Sequence, residues 1–85
     1  MRREDILAQL KEIISLNFEL PIELIEPQSQ FRANLGMDSL ALVDLTFFVK
    51  HSFGIDEKLN KYQSLLSVDD LVDFIHAHLN AQVQP

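Results

Sequence analysis

The chain has no cysteine, which excludes disulfides and thiolate metal sites. It has two glycines, Gly36 and Gly54, so each marks a place where the backbone itself is at issue. Basic residues are few: seven Lys and Arg stand against thirteen Asp and Glu, for a net charge of −6 with histidines neutral. Phosphate backbones are bound by clustered Lys and Arg, so nucleic acid is excluded as a partner, and partners with basic surfaces are favoured. There is no run of about 18 apolar residues that would cross a bilayer, so no membrane insertion is expected. The start, Met1-Arg2-Arg3-Glu4-Asp5, is basic then acidic, and the segment from Ile6 onward is amphipathic. A signal peptide needs a continuous apolar core there, so the expected location is cytoplasmic.

Enzymatic equipment is also sparse. His51, His76 and His78 are the only histidines, and the last two are spaced to point to different sides of a helix, away from a shared metal and toward solvent. There is no glycine-rich phosphate loop. The acidic group Asp69, Asp70 and Asp73 reads as dipole complementation at a helix start.

What is present is helix. Eighty-five residues, nearly half of them apolar, make one domain with a core over about 3–80 and a frayed tail at 81–85. Ile6, Leu7, Leu10, Ile13, Ile14 and Phe18 recur at three and four residues, predicting a first helix over Arg3 to Leu16 that Pro21 cannot continue. A long connection, Asn17 to Met37, contains a short turn at Pro21–Ile25 and is anchored by Leu24 or Ile25, Phe31 and Leu35. A central helix runs from Ser39 to Phe53, and Gly54 ends it with Ile55 folding back. Asp56 to Leu66 predicts one or two helical turns. Ser67 and Asp70 form a capping box for a last helix ending near Asn80, with Leu66 and Leu71 as its hydrophobic staple. The expected fold is all-α: a four-helix bundle of three longer helices and a short third one, with the long loop between the first and second.

The central helix carries the functional signal. Leu42, Leu45, Val49 and Phe53 make one apolar stripe, and Leu40, Val43 and Phe47 make a second. Burying both is hard in a domain this small, so the second stripe is expected to meet a partner, the alternative being that all these side chains are core. Just before it stands Leu35-Gly36-Met37-Asp38-Ser39-Leu40. Gly36 supplies a positive φ for a turn, and Asp38 and Ser39 are good helix-start residues. The result is a serine hydroxyl at the positive end of a helix, where a phosphate is favoured. Read alone, Asp38-Ser39 fits a plain helix cap equally well. A serine hydrolase of the Gly-Asp-Ser-Leu type is disfavoured, because Met37 breaks that signature and no histidine base is evident near Ser39.

Gly36-Met37-Asp38-Ser39-Leu40, followed by an apolar helix in an acidic chain, resembles the acyl carrier proteins, and the resemblance extends from about Ile6 to Leu79. Phe31 and Leu35-Gly36 match the aromatic residue and the Leu-Gly pair of that family's long first loop. The resemblance implies a carrier, not an enzyme. Ser39 would bear a 4′-phosphopantetheine arm moved from coenzyme A by a phosphopantetheinyl transferase, with Asp38 assisting the transferase's magnesium. The thiol that this cysteine-free chain lacks would come from the arm, which would hold acyl groups as thioesters. The bundle would shelter the acyl chain and the arm would deliver it to acyl-loading and acyl-processing enzymes. Leu40, Val43, Asp44 and Phe47 match the family's docking surface, and the carrier is expected to be a monomer.

The chain departs from the family's fatty-acid-synthesis pattern at Ala41, Lys50 and His51, where acidic residues are frequent. Charges from Ser39 to Phe53 therefore sum to zero, Asp44 against Lys50. The expectation is a specialised carrier, for a dedicated acyl or polyketide-like pathway. Alternatives are an arm-free interaction module of the same fold and a peptidyl-type carrier, whose Gly-Gly-His/Asp-Ser pattern fits less well.

Overall fold

The computed structural model describes residues 2–55 and 66–82, with side chains as far as residue 79. Three α-helices succeed one another: α1 at Arg3–Phe18, α2 at Ser39–Phe53 and α3 at Val68–Gln82. A single 3-10 turn, Ile22–Leu24, lies between α1 and α2. There is no strand among the described residues, and one isolated bridge pairs Gln30 with Ser67. The expected third helix falls on residues 56–65, outside the described ones; Leu66, its expected end, is not helical.

α1 buries Ile6, Leu10, Ile13 and Ile14, the stripe its periodicity predicts. It runs two residues further than its pattern indicates, to Phe18. Asn17 Nδ2 donates to the Ile13 carbonyl, and Ser15 Oγ donates to the Leu20 carbonyl, so the last turn is tied on both sides. Phe18 packs edge-to-face on Phe48 of α2, with ring centroids 6.0 Å apart. The helix stops at Glu19, which takes a left-handed φ of 55° that an L side chain rarely adopts.

The connection from 19 to 38 contributes as much to the core as a helix would. Ile25, Phe31, Leu35 and Met37 are buried against Leu42, Leu45 and Val49 of α2 and Val68, Leu71, Val72 and Ile75 of α3. Of the two candidate anchors at its start, Ile25 is buried and Leu24 is exposed. The connection is stitched to the start of α3. The Val68 amide donates to the Ser29 carbonyl, the Asp69 amide to the Pro27 carbonyl, and the Phe31 amide to the Leu66 carbonyl. The first amides of a helix have no partner within it, and here loop carbonyls receive them.

The ends of α2 and α3 form as their local sequence predicts. Gly54, at φ 67°, and Ile55 both donate to the Lys50 carbonyl, and Ile55 is buried. Asp70 Oδ2 accepts the amides of Leu66 and Ser67, while Ser67 Oγ accepts the Asp70 amide, completing the capping box. Leu66 does not act as a staple. Its main chain is engaged by Phe31 and Asp70, and its side chain stays exposed while Leu71 is buried. Nor do His76 and His78 simply face solvent: both are half-buried, and the His78 ring stacks on Phe74 at 6.2 Å. Arg3 joins α1 to α3, donating to Asp73 and, at 3.0 Å, to Asp69, so two residues of the acidic cluster serve an interhelical pair.

Candidate functional site

The chain approaches α2 through a closed turn. Phe31 is buried, and its carbonyl receives the Met37 amide at 2.9 Å. Inside that loop the amides of Asn34 and Leu35 both donate to the Gln30 carbonyl, and the Gln30 amide donates back to Asn34 Oδ1. Gly36 takes φ 68°, and a Cβ there would meet nothing within 4 Å. Glycine is thus suited to this position by backbone sign alone, not by crowding. Met37 then turns inward and is buried, which leaves Asp38 and Ser39 on the surface.

Asp38 is the N-cap of α2. Its backbone is extended, at φ −93° and ψ −173°, and its Oδ1 accepts the Ala41 amide at 2.9 Å. Ser39 is the first helical residue and is exposed. In a first turn the amides of Ser39 and Leu40 have no carbonyl one turn back to bond, so donors and the positive end of the helix dipole converge beside the hydroxyl. Arg32 completes the setting: its Nη2 donates to Ser39 Oγ at 3.0 Å. An anion joined to Ser39 Oγ would therefore lie against a helix start and a guanidinium. Two open hollows of the molecule are lined by residues 23–34 and 66–70, and Ser39 lines neither.

The same helix presents the second apolar stripe outward. Leu40 is 77 % exposed, Phe47 67 % and Val43 45 %, and Asp44 is exposed beside them. Leu42, Leu45 and Val49 occupy the opposite face and are buried. Phe47 packs edge-to-face on half-buried Phe48 at 6.1 Å, which links the outward stripe to the Phe18 contact with α1. Lys50 and His51 fall in the last turn of α2, where a cation meets the negative end of the dipole.

Ser39, Asp38 and Leu40 thus come together at one end of α2, and Val43, Asp44 and Phe47 continue along its exposed side. Arg32 carries no signal in the sequence. It lies seven residues before Ser39, in a stretch with no helical period, and only the closed turn brings the two together. Among the described residues there is no cluster of three potential metal ligands, and no helix is long and apolar enough to cross a membrane.

Comparison with known proteins points the same way. The family model described as the phosphopantetheine attachment site matches residues 8–75. The chain is 30 % identical over 81 residues to an acyl carrier protein of Rubrobacter xylanophilus, covering 95 % of this chain and 100 % of that one. It is 35 % identical over 79 residues to an acyl carrier protein of Coprothermobacter proteolyticus, covering 93 % and 96 %. It is also similar to acyl carrier protein 3 of Ralstonia nicotianae, at 30 % over 79 residues, covering 93 % and 91 %.

Proposed function

The chain belongs to the acyl carrier protein family, and from that premise we propose that Ser39 carries its 4′-phosphopantetheine and that the protein ferries acyl groups between enzymes. Members of this family carry and do not catalyse, and the prosthetic group is covalent. The observation that bears the most weight is the place of Ser39: an exposed hydroxyl on the first residue of a 15-residue helix. The surroundings fit a phosphodiester, because helix-start amides and a cationic side chain lie beside Oγ.

On loading, Ser39 Oγ loses its proton and bonds to phosphorus, while the pyrophosphate bond of coenzyme A breaks and adenosine 3′,5′-bisphosphate leaves. In this reading the transferase would supply the base and the magnesium, and Asp38, the residue before Ser39, would assist the metal. The arm supplies the thiol that holds acyl groups as thioesters. The protein then contributes tethering, which raises the effective concentration of the acyl group at each docked enzyme. Leu40, Val43, Asp44 and Phe47 form the docking surface in this reading.

The pathway is a specialised one, serving a dedicated acyl or polyketide-like product. What supports this is the charge of α2, where Asp44 and Lys50 cancel and leave a basic enzyme groove little to attract. Tight, salt-sensitive binding to general fatty-acid enzymes would count against it.

The carrier role is tested by intact mass. The protein and Ser39→Ala are incubated with coenzyme A, magnesium and a broad-specificity phosphopantetheinyl transferase. A gain of one phosphopantetheine on the parent alone is the expected result. No gain on either, with a control carrier loaded in the same reaction, would replace this reading with an arm-free interaction module.

A further inference from the structure

We propose that Arg32 is the anchor for the arm's phosphate: once Ser39 is loaded, its guanidinium pairs with the non-bridging oxygens of the phosphodiester and fixes the direction in which the arm leaves the protein. The inference rests on the carrier role of Ser39 and goes beyond it, to how the root of the arm is held.

The geometry starts from the 3.0 Å bond between Arg32 Nη2 and Ser39 Oγ. In the unloaded protein Oγ is a hydroxyl oxygen that accepts this bond. Loading turns Oγ into an ester oxygen, a poor acceptor, and places on the phosphorus bonded to it two non-bridging oxygens that share one negative charge. A guanidinium that already reaches Oγ needs only a small side-chain rotation to reach them. Its planar fork of N–H donors matches two such oxygens.

The backbone beneath Arg32 is held on both sides. Phe31 is buried and bonded through both amide and carbonyl, and the Phe31–Met37 bond closes the loop that contains Arg32. Among the described residues no carboxylate lies within 4.0 Å of the Arg32 guanidinium, so none of these competes for it. Arg3 gives the contrast, since Asp69 and Asp73 both engage it. The phosphodiester is the anion that Arg32 is placed to meet. Being exposed, the pair is open to screening and will weaken with salt.

The test tracks Arg32 itself by NMR, before and after loading, with intact mass recording how much protein carries the arm. In the loaded protein the Arg32 Nε–H signal shifts and its solvent exchange slows several-fold. The 31P signal of the arm in Arg32→Gln moves toward that of a loaded short peptide, and Arg32→Lys restores part of the difference. Full loading by mass with an unmoved Arg32 signal, or with one 31P position shared by parent and Arg32→Gln, overturns the anchor and leaves the carrier role standing. Failure of the parent to load overturns the carrier role and the anchor together. The Nε–H measurement uses the parent protein, so it decides the matter even if a variant folds poorly.

Discussion

At Asp38 a structural and a functional demand fall on one carboxylate, and two substitutions separate them. The N-cap bond to the Ala41 amide survives in Asp38→Asn, because an amide oxygen accepts as a carboxylate does. Asp38→Ala loses it, at an expected cost of about 1 kcal/mol in denaturant unfolding. If the charge serves the transferase's metal, Asp38→Asn keeps its stability and still loads more slowly. Equal loading rates for Asp38→Asn and the parent, measured by mass against time, would leave Asp38 as a cap alone. Residues of this kind are legible in the sequence, because capping and left-handed turns are local and depend on side-chain type. Gly36, Gly54, Asp38 and the Ser67–Asp70 box all stand where local chemistry puts them. Arg32 and Met37 are not legible. Burial of Met37 and the reach of Arg32 are set by a turn whose closing bond joins residues six apart, and no period signals that. Glu19 is the converse case: the sequence offers no glycine there, so Pro21 bounds α1 without marking the residue at which it turns.

α2 is the element in which position along the helix decides fate. Its core face and its outward face are both apolar, and composition alone does not distinguish them. Spacing does: Leu42, Leu45 and Val49 fall together inward, and Leu40, Val43 and Phe47 fall together outward. Removing an inward residue opens a cavity, whereas removing an outward one exposes little that was hidden. Phe47→Asp is therefore expected to cost no more than about 1 kcal/mol of stability, most of it from the edge contact with Phe48. It should load normally yet transfer its acyl group to a cognate enzyme at a reduced rate. Denaturant unfolding and acyl transfer, run on the same loaded protein, check both halves. Undiminished transfer would remove Phe47 from the docking surface.

For the whole molecule, the connection between α1 and α2 acts as a fourth packing layer. Phe31 is its largest fully buried side chain and touches a core fed by all three helices. Phe31→Ala should cost about 3–5 kcal/mol, a large part of the stability of a domain this size. The same change frees one end of the closed turn, so loading of Ser39 should slow under conditions where the protein is still folded. Circular dichroism during unfolding, with intact mass after a timed loading, measures the two effects. The Arg3 pair adds a surface tie between α1 and α3. The hydrogen bond to Asp73, with the nearby carboxylate charges, raises the Arg3 pKa above its ordinary value. A raised pKa means that on the alkaline side the tie persists beyond the neutral range and is lost as pH climbs past the arginine's own titration, in strong alkali. The helical class and the three long helices are readable because hydrophobic period survives in any context. The tertiary role of the connection is not, because its bonds run between residues 27–31 and 66–69, far apart in the chain.

Those distant bonds also set a clock. A chain growing from its amino end completes the serine turn early, yet the groups that fix the turn's approach arrive with Asp69, thirty residues after Ser39. Until then the carbonyls of Pro27 and Ser29 and the amide of Phe31 have only water to bond. The serine turn is thus complete in sequence well before its surroundings are.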